Sequence, residues 1–134
     1  MKYLLDTNTC IALIRQKPAA LLKKITSHQP GEVGISCITL AELAHGVEKS
    51  AQMEQNMSAL QLFILPLELA DFDQQAALAY GKIRAQLERE GQVIGSMDML
   101  IAAHAVSLGA TLVTNNVQEF HRVKVLNIED WISA

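Results

Sequence analysis

The hydrophobic pattern of this chain alternates between short apolar runs and longer segments in which apolar residues recur every three or four positions. The short runs predict strands at residues 2–5, 33–36, 63–67, 111–114 and 123–128. The longer segments predict helices that begin near residues 10, 18, 39, 51, 73 and 96. Strands that alternate with helices are typical of a mainly parallel sheet covered by helices on both faces. We therefore predict an α/β fold with three layers, α/β/α, in one domain spanning residues 1–134.

The segment from Gly95 to Leu108 predicts a helix that is apolar nearly all round. Between Met97 and Val106 the only polar residues are Asp98 and His104, and a helix of this kind is normally buried. An unpaired buried carboxylate costs several kcal/mol, whereas a favourable helix dipole contributes only about 1 kcal/mol. His104 lies on another side of the helix, at about 100° per residue, and is expected to be a hydrogen-bonded core or interface histidine. Asp98 therefore needs a cation from elsewhere.

Three further polar residues lie where a parallel sheet collects its ligands. Asp6 directly follows the first predicted strand, Glu42 lies in the first turn of the helix after the second, and Asn116 follows strand 111–114. Ligands of such sheets bind outside the carboxyl ends of the strands. We therefore expect Asp6, Glu42 and Asp98 to converge. Oxygen ligands of this kind suit Mg²⁺ or Mn²⁺, whereas a zinc site would use histidine or cysteine.

Each acidic residue also has a structural or competing interpretation. Asp6 has the position of an N-cap, and Thr39 and Glu42 have the spacing of a capping box. A negative charge at Asp98 suits the start of a helix. Glu42 and His45 have the Glu-x-x-His spacing of di-iron bundles, but the chain has no second copy and its pattern is not that of a bundle.

Composition narrows the classes of function. A chain of 134 residues, half of them hydrophobic, is long enough for one aliphatic core. The net charge of −3 argues against a protein that coats nucleic acid by bulk electrostatics, but it allows a nuclease that holds a few phosphates. Cys10 and Cys37 form no CxxC pair, which predicts reduced, buried thiols and a cytoplasmic location. We expect neither a signal peptide nor a membrane-spanning helix.

Four motifs, in their order and spacing, resemble those of PIN-domain proteins and, more narrowly, of VapC-type toxins from bacterial toxin–antitoxin pairs. They are Leu5-Asp-Thr-Asn8, Thr39-Leu-Ala-Glu-Leu43, Ile94-Gly-Ser-Met-Asp98 and Leu112-Val-Thr-Asn-Asn116. The resemblance continues to Trp131 and so covers essentially the whole chain. It implies a mainly parallel sheet between helices and a metal-dependent endoribonuclease that acts on tRNA or another structured RNA of translation.

Position by position, the resemblance assigns Asp6, Glu42 and Asp98 to the three acidic site residues of the family and Asn116 to the fourth. It implies that Asp6 and Asp98 bind Mg²⁺ or Mn²⁺ directly and that Glu42 completes the metal site. Asn116 is a neutral amide where the family often has Asp. We therefore expect Asn116 to orient a water or a neighbouring carboxylate rather than to bind the metal strongly.

Three neighbouring polar residues are candidates for supporting roles. Asn8 and Thr114 are expected to hydrogen-bond the residues that hold the metal. Glu119 has two interpretations, since it either supplies the charge that Asn116 lacks or is a solvated helix residue.

The resemblance also implies partners: a VapB-like antitoxin, homodimers, hetero-oligomers with the antitoxin, and DNA contacted only through the antitoxin. The apolar faces of the first four helices are a candidate groove for an antitoxin helix. These faces carry Leu13, Ile14, Leu21, Ile25, Val47, Met53 and Met57. The alternative function is a catalytically weak binding module that acts mainly in an antitoxin-bound, DNA-binding repressor complex.

Overall fold

Strands and helices alternate along the chain in the computed structural model, which describes residues 1–133. The strands are β1 (Tyr3–Leu5), β2 (Val33–Ser36), β3 (Glu68–Ala70), β4 (Thr111–Val113) and β5 (Ile128–Glu129). The helices are α1 (Thr7–Arg15), α2 (Ala19–Thr26), α3 (Cys37–Glu48), α4 (Met53–Ile64), α5 (Gln74–Arg89), α6 (Ser96–Leu108) and α7 (Val117–Phe120).

The strands form one parallel sheet in the order β3-β2-β1-β4-β5. Leu4 and Leu112 face one side of the sheet and pack into a core with α5 and α6. The next residues, Leu5 and Val113, face the other side and pack into a second core with α1 to α4. Successive residues of a strand point to opposite faces, so a strand buried on both faces is continuously apolar. The predicted three-layer α/β/α fold is confirmed.

Two strand predictions are wrong in position. The sequence predicts a third strand at 63–67, but Phe63 and Ile64 are the last residues of α4 and continue its apolar face. The third strand, β3, begins only at Glu68. The sequence also predicts a last strand at 123–128, but in this part of the chain the strand is β5 (Ile128–Glu129), which pairs with β4. Val123 and Leu126 are buried from a segment of turns, so that apolar run reflects packing against the core rather than strand pairing.

The predicted capping box at the start of α3 is also wrong. The helix begins two residues earlier, at Cys37, and its N-cap is Ser36, whose side chain accepts a hydrogen bond from the Ile38 N–H at 3.0 Å. Glu42 is therefore free of a capping role. Cys37, expected to be buried, is half-buried, and both cysteines are free thiols.

Helix α6 begins and ends as predicted. Its C-cap, Gly109, has a φ of 64° in the left-handed region, which favours glycine. The residues from Ile101 to Ala105 are all buried. Within residues 1–133, none of the helices has the length and hydropathy needed to span a bilayer.

Candidate active site

Asp6 lies at the carboxyl end of β1 and is 3% exposed. Its Oδ1 atom accepts a hydrogen bond from the Thr9 N–H at 2.8 Å, so Asp6 is indeed the N-cap of α1. Burial raises the pKa of the Asp6 carboxyl, hydrogen bonds from Thr114 and Thr9 oppose that rise, and the nearby Glu42 charge adds to it. The capping interpretation is therefore confirmed, and it is compatible with the site interpretation, because the cap uses one carboxylate oxygen.

Glu42 lies in the second turn of α3 and is half-buried. Its Oε1 atom accepts a hydrogen bond from the Thr7 hydroxyl at 2.5 Å, and that hydroxyl lies 3.4 Å from the hydroxyl of Thr39. Thr7 is the first residue of α1, directly after Asp6. The contact therefore directs the Glu42 carboxylate toward the start of α1 and toward Asp6.

Asp98 lies in the first turn of α6 and is half-buried, less deeply than the apolar surroundings predict. Its pKa is raised to about 6, first by burial and then by the negative charges of Glu119, Glu42 and Asp6. Every charged group that shifts this carboxyl is thus another carboxylate. The expectation that Asp98 has no basic side chain as its partner agrees with this arrangement.

Asn116 follows β4 and connects two residues of the site. Its backbone N–H donates to the Thr114 hydroxyl oxygen at 2.9 Å, and its side-chain amide donates to Glu119 Oε2 at 3.3 Å. Asn116 therefore orients a neighbouring carboxylate, one of the two roles expected of it. Thr114 is fully buried and hydrogen-bonds Asp6, so it supports the site as predicted.

The carboxylates come within electrostatic reach of one another but do not form a ready-made ligand cage. Within residues 1–133, no three His, Cys, Asp or Glu side chains are grouped closely enough to hold one metal ion. Like charges repel, which keeps such side chains apart in the absence of a cation. The donors nevertheless fit Mg²⁺ or Mn²⁺ in kind, because they are all carboxylate oxygens and a cation would relieve their repulsion.

Sequence reasoning missed one supporting residue and undervalued another. Thr7 holds Glu42, whereas Asn8, expected in such a role, is exposed and makes no side-chain hydrogen bond within residues 1–133. Glu119 is the charged group with the largest effect on Asp98. The available signal was position: Thr7 follows Asp6 directly, and Glu119 lies one helical turn after Asn116.

An apolar groove of about 430 Å³ lies away from the carboxylates, between α1, α2 and α4. Leu13, Ile14 and Ile25 line this groove as predicted, but Leu21 is fully buried in the core. The predicted residues Val47, Met53 and Met57 do not line it. This side of the wall is formed instead by Ala59, Leu62 and Phe63 of α4 and by Pro66 and Leu67 just after it, and Leu62 is 70% exposed.

Comparison with known proteins agrees with this arrangement. The model of the family described as PIN domain matches residues 3–126. The tRNA(fMet)-specific endonuclease VapC of Shigella flexneri is 44% identical over 131 residues, which cover 98% of each chain.

Two solved structures have the same fold over nearly their whole length. The structure of DNA-bound VapBC from Salmonella typhimurium aligns with a TM-score of 0.94 and 45% identity, covering 98% of both chains. The structure of VapBC2 from Rickettsia felis bound to a DNA fragment from its promoter aligns with a TM-score of 0.92 and 41% identity, covering 98% of this chain and 99% of that one. The chain therefore belongs to the PIN-domain family and, within it, to the VapC ribonucleases.

Proposed function

We propose that this protein is the toxin of a toxin–antitoxin pair and acts as a Mg²⁺- or Mn²⁺-dependent endoribonuclease on a structured RNA of translation, with tRNA as the expected substrate. The observation that carries the proposal is the group of carboxylates, Asp6, Glu42, Asp98 and Glu119, at the carboxyl end of the sheet. The Shigella flexneri relative, named as a tRNA(fMet)-specific endonuclease, supports the choice of substrate.

Asp6 and Asp98 would hold the metal directly, and Glu42 would do so directly or through water. When bound, such an ion supplies Lewis-acid chemistry, since it activates water and neutralises charge on the phosphodiester. The residues of the chain itself orient the ligands. Thr9 and Thr114 hold Asp6, and Thr7 holds Glu42. Asn116 hydrogen-bonds Glu119. Glu119 would either lie next to the metal ligands without binding the metal or be a further ligand.

A negatively charged site repels the RNA backbone, so cations near its rim are needed for substrate binding. We assign this role to Arg122. It follows Glu119 by three residues, and its guanidinium donates to the Val93 carbonyl, in the loop that leads into α6, at 3.1 Å. Within residues 1–133, the carboxylate ion pairs involve only Lys2, Arg84 and Lys124. Arg122 thus keeps its charge available for an RNA phosphate.

The groove between α1, α2 and α4 would take an apolar segment of a VapB-like antitoxin. Exposed apolar surface of this kind marks interaction sites, and both solved relatives described above are VapBC complexes. DNA would be contacted only through the antitoxin. We expect a cytoplasmic protein that forms homodimers and hetero-oligomers with the antitoxin.

The test is incubation of purified, antitoxin-free protein with total RNA, with Mg²⁺ or with excess EDTA, followed by mapping of new RNA ends. We expect discrete cleavage that requires the metal and that is abolished by Asp98→Asn. The matched control is Glu88→Gln, which makes the same chemical change at an exposed ion pair on α5 and should leave cleavage intact. Full activity of Asp98→Asn, or in EDTA, would overturn the mechanism. Antitoxin binding without any RNA cleavage would favour the binding-module alternative.

A further inference from the structure

A buried histidine connects α6 to the start of α3, outside the group of carboxylates. His104 lies in the middle of α6 and is 1% exposed. Its Nδ1 atom lies 2.7 Å from the hydroxyl oxygen of Ser36, which is fully buried. The expectation of a hydrogen-bonded core histidine is therefore confirmed at this nitrogen.

The surroundings determine which group donates in this contact. Ser36 Oγ already accepts the N–H of Ile38 as the N-cap of α3. The hydroxyl proton of Ser36 is thus free to donate to His104 Nδ1, which places the proton of a neutral imidazole on Nε2. Burial lowers the pKa of His104, against the opposing effects of Asp71 and Asp73, which favours this neutral ring. The Nε2 atom is buried and makes no hydrogen bond of good geometry within residues 1–133, although the nearby Asp71 backbone carbonyl acts on the ring as an acceptor and raises its pKa.

The same contact region is closed from a second side by the segment between β3 and α5. The Phe72 N–H donates to the Cys37 sulfur at 3.3 Å. The edge of the Phe72 ring packs on His104, with 5.3 Å between the ring centroids and an angle of 74°. The first turn of α3 is therefore held from two sides. His104 of α6 contacts it at Ser36, and Phe72 contacts both Cys37 and His104.

The position of this first turn sets the position of Glu42. Glu42 follows Ser36 by six residues on the same rigid helix, and its carboxylate meets Thr7 of α1 at 2.5 Å. A hydrogen bond so short tolerates little displacement of α3 relative to α1. Loss of His104 Nδ1 would leave the buried Ser36 hydroxyl proton without an acceptor and weaken the hold on the start of the helix.

We propose that His104 is a positioning residue for the carboxylate site. It accepts a hydrogen bond from the Ser36 hydroxyl and so anchors the start of α3. Through α3 it holds Glu42 against Thr7 and toward Asp6. The effect on catalysis rests on the proposed function, whereas the anchoring of α3 is independent of it.

The test compares His104→Leu, which removes the acceptor, with His104→Asn, whose Oδ1 takes the place of Nδ1. We expect His104→Leu to lower kcat by about tenfold to a hundredfold, because Glu42 is then held less firmly at the site. This corresponds to about 1.4–2.7 kcal/mol in the barrier. The KM for RNA should stay within about twofold, because the RNA contacts are unchanged. His104→Asn should retain most of the activity. Ser107→Ala is the matched control, because it removes a hydrogen bond to the backbone of His104 without touching α3.

Hydrogen exchange in the metal-free protein provides a readout that does not depend on activity. We expect the amide of Ile38 to exchange faster in His104→Leu but not in Ser107→Ala. Ser36→Ala sets the upper limit of this effect, because it removes the acceptor of the Ile38 N–H itself. In the Ser36→Ala background, His104→Leu should cause no further loss of kcat, because the contact between the two side chains is already absent there. Ser36→Ala alone should lose more than His104→Leu alone, since it also removes the N-cap of α3. If His104→Leu does not fold, Ser36→Ala and His104→Asn carry the same comparison.

Two results would overturn the proposal. One is a folded His104→Leu variant with the kcat and the Ile38 exchange of the unmodified protein. The other is a pair of losses in kcat that multiply in the double variant. If the unmodified protein cleaves no RNA, the proposed function fails, and the exchange measurements still decide whether His104 anchors α3.

Discussion

The carboxylate site and the apolar groove are built from opposite chemistry, and each is unfavourable in the isolated chain. At the site, burial and then like charges raise the pKa of Asp98 to about 6, whereas the groove exposes apolar side chains such as Leu62 to water. A cation would relieve the first cost and an apolar partner the second. The two regions therefore bind chemically different ligands, and mutations should affect one without the other.

Helix α1 is nevertheless common to both regions. Asp6 and Thr7 start the helix at the site, and Leu13 and Ile14 line the groove. Seven residues separate Asp6 from Leu13, a distance of about 10 Å along a helix. A partner in the groove therefore lies close to the site without sharing its chemistry.

The largest expected effect is the loss of RNA cleavage in Asp98→Asn. The amide keeps the shape of the side chain and removes the charge that would hold the metal. We expect the cleavage rate to fall by at least about a thousandfold, roughly 4 kcal/mol in the barrier, with antitoxin affinity unchanged. Single-turnover cleavage and a binding titration measure the two quantities. A parallel loss of antitoxin binding would contradict the separation of the two regions.

The converse change is Leu62→Glu in the groove. A charge on an apolar contact surface should weaken antitoxin binding by about 2–4 kcal/mol, the range of an interface hot spot, while RNA cleavage stays unchanged. Leu78→Glu is the matched control, because Leu78 is a 58% exposed leucine on α5, outside the groove. Equal affinity of the two variants for the antitoxin would place its binding site elsewhere.

The burial of Asp98 among other carboxylates predicts a pH dependence of stability in the metal-free protein. Folding raises the pKa of Asp98 from 3.8 to about 6, so the folded state binds this proton more tightly than the unfolded state does. The contribution of Asp98 to the free energy of unfolding therefore falls as pH rises from about 4 to about 6, and stays low above that window. Melting temperatures across this range measure it, and the difference between the unmodified protein and Asp98→Asn isolates the group.

Mg²⁺ added at pH 7 should raise the melting temperature of the unmodified protein, because it binds the folded state preferentially. It should raise that of Asp98→Asn much less. An unchanged melting temperature on adding Mg²⁺ would contradict the assignment of a cation to Asp98.

The smallest expected effect is that of Arg122→Ala. Loss of one phosphate contact should raise the KM for RNA several-fold and reduce the salt dependence of binding by about one charge, with kcat little changed. Lys2→Ala is the control, since Lys2 is held by Glu32 in an exposed ion pair at 3.0 Å. If both variants show the same KM and salt dependence as the unmodified protein, Arg122 makes no contact with the substrate.

The local hydrophobic pattern was sufficient to predict the central elements of the fold. The strands β1, β2 and β4 and the helix α6 are predicted nearly to the residue, because elements buried on all sides are continuously apolar. The edge strands were misplaced, because β3 is mostly exposed and β5 is only half-buried. Their identity depends on hydrogen bonds to β2 and β4, which no local pattern contains.

The same division applies to the site. The sequence alone determined that Asp6, Glu42 and Asp98 are acidic residues near the ends of predicted buried strands and helices. It also determined that Asp98, which lies among apolar residues, needs a cation as its partner. Only the tertiary structure decided that Glu42 is held by Thr7 rather than by a capping box, that Glu119 acts on Asp98, and that Asn8 faces solvent. The hydrogen bond of Glu42 spans 35 residues of sequence, and contacts of that kind form only when packing brings separate helices together.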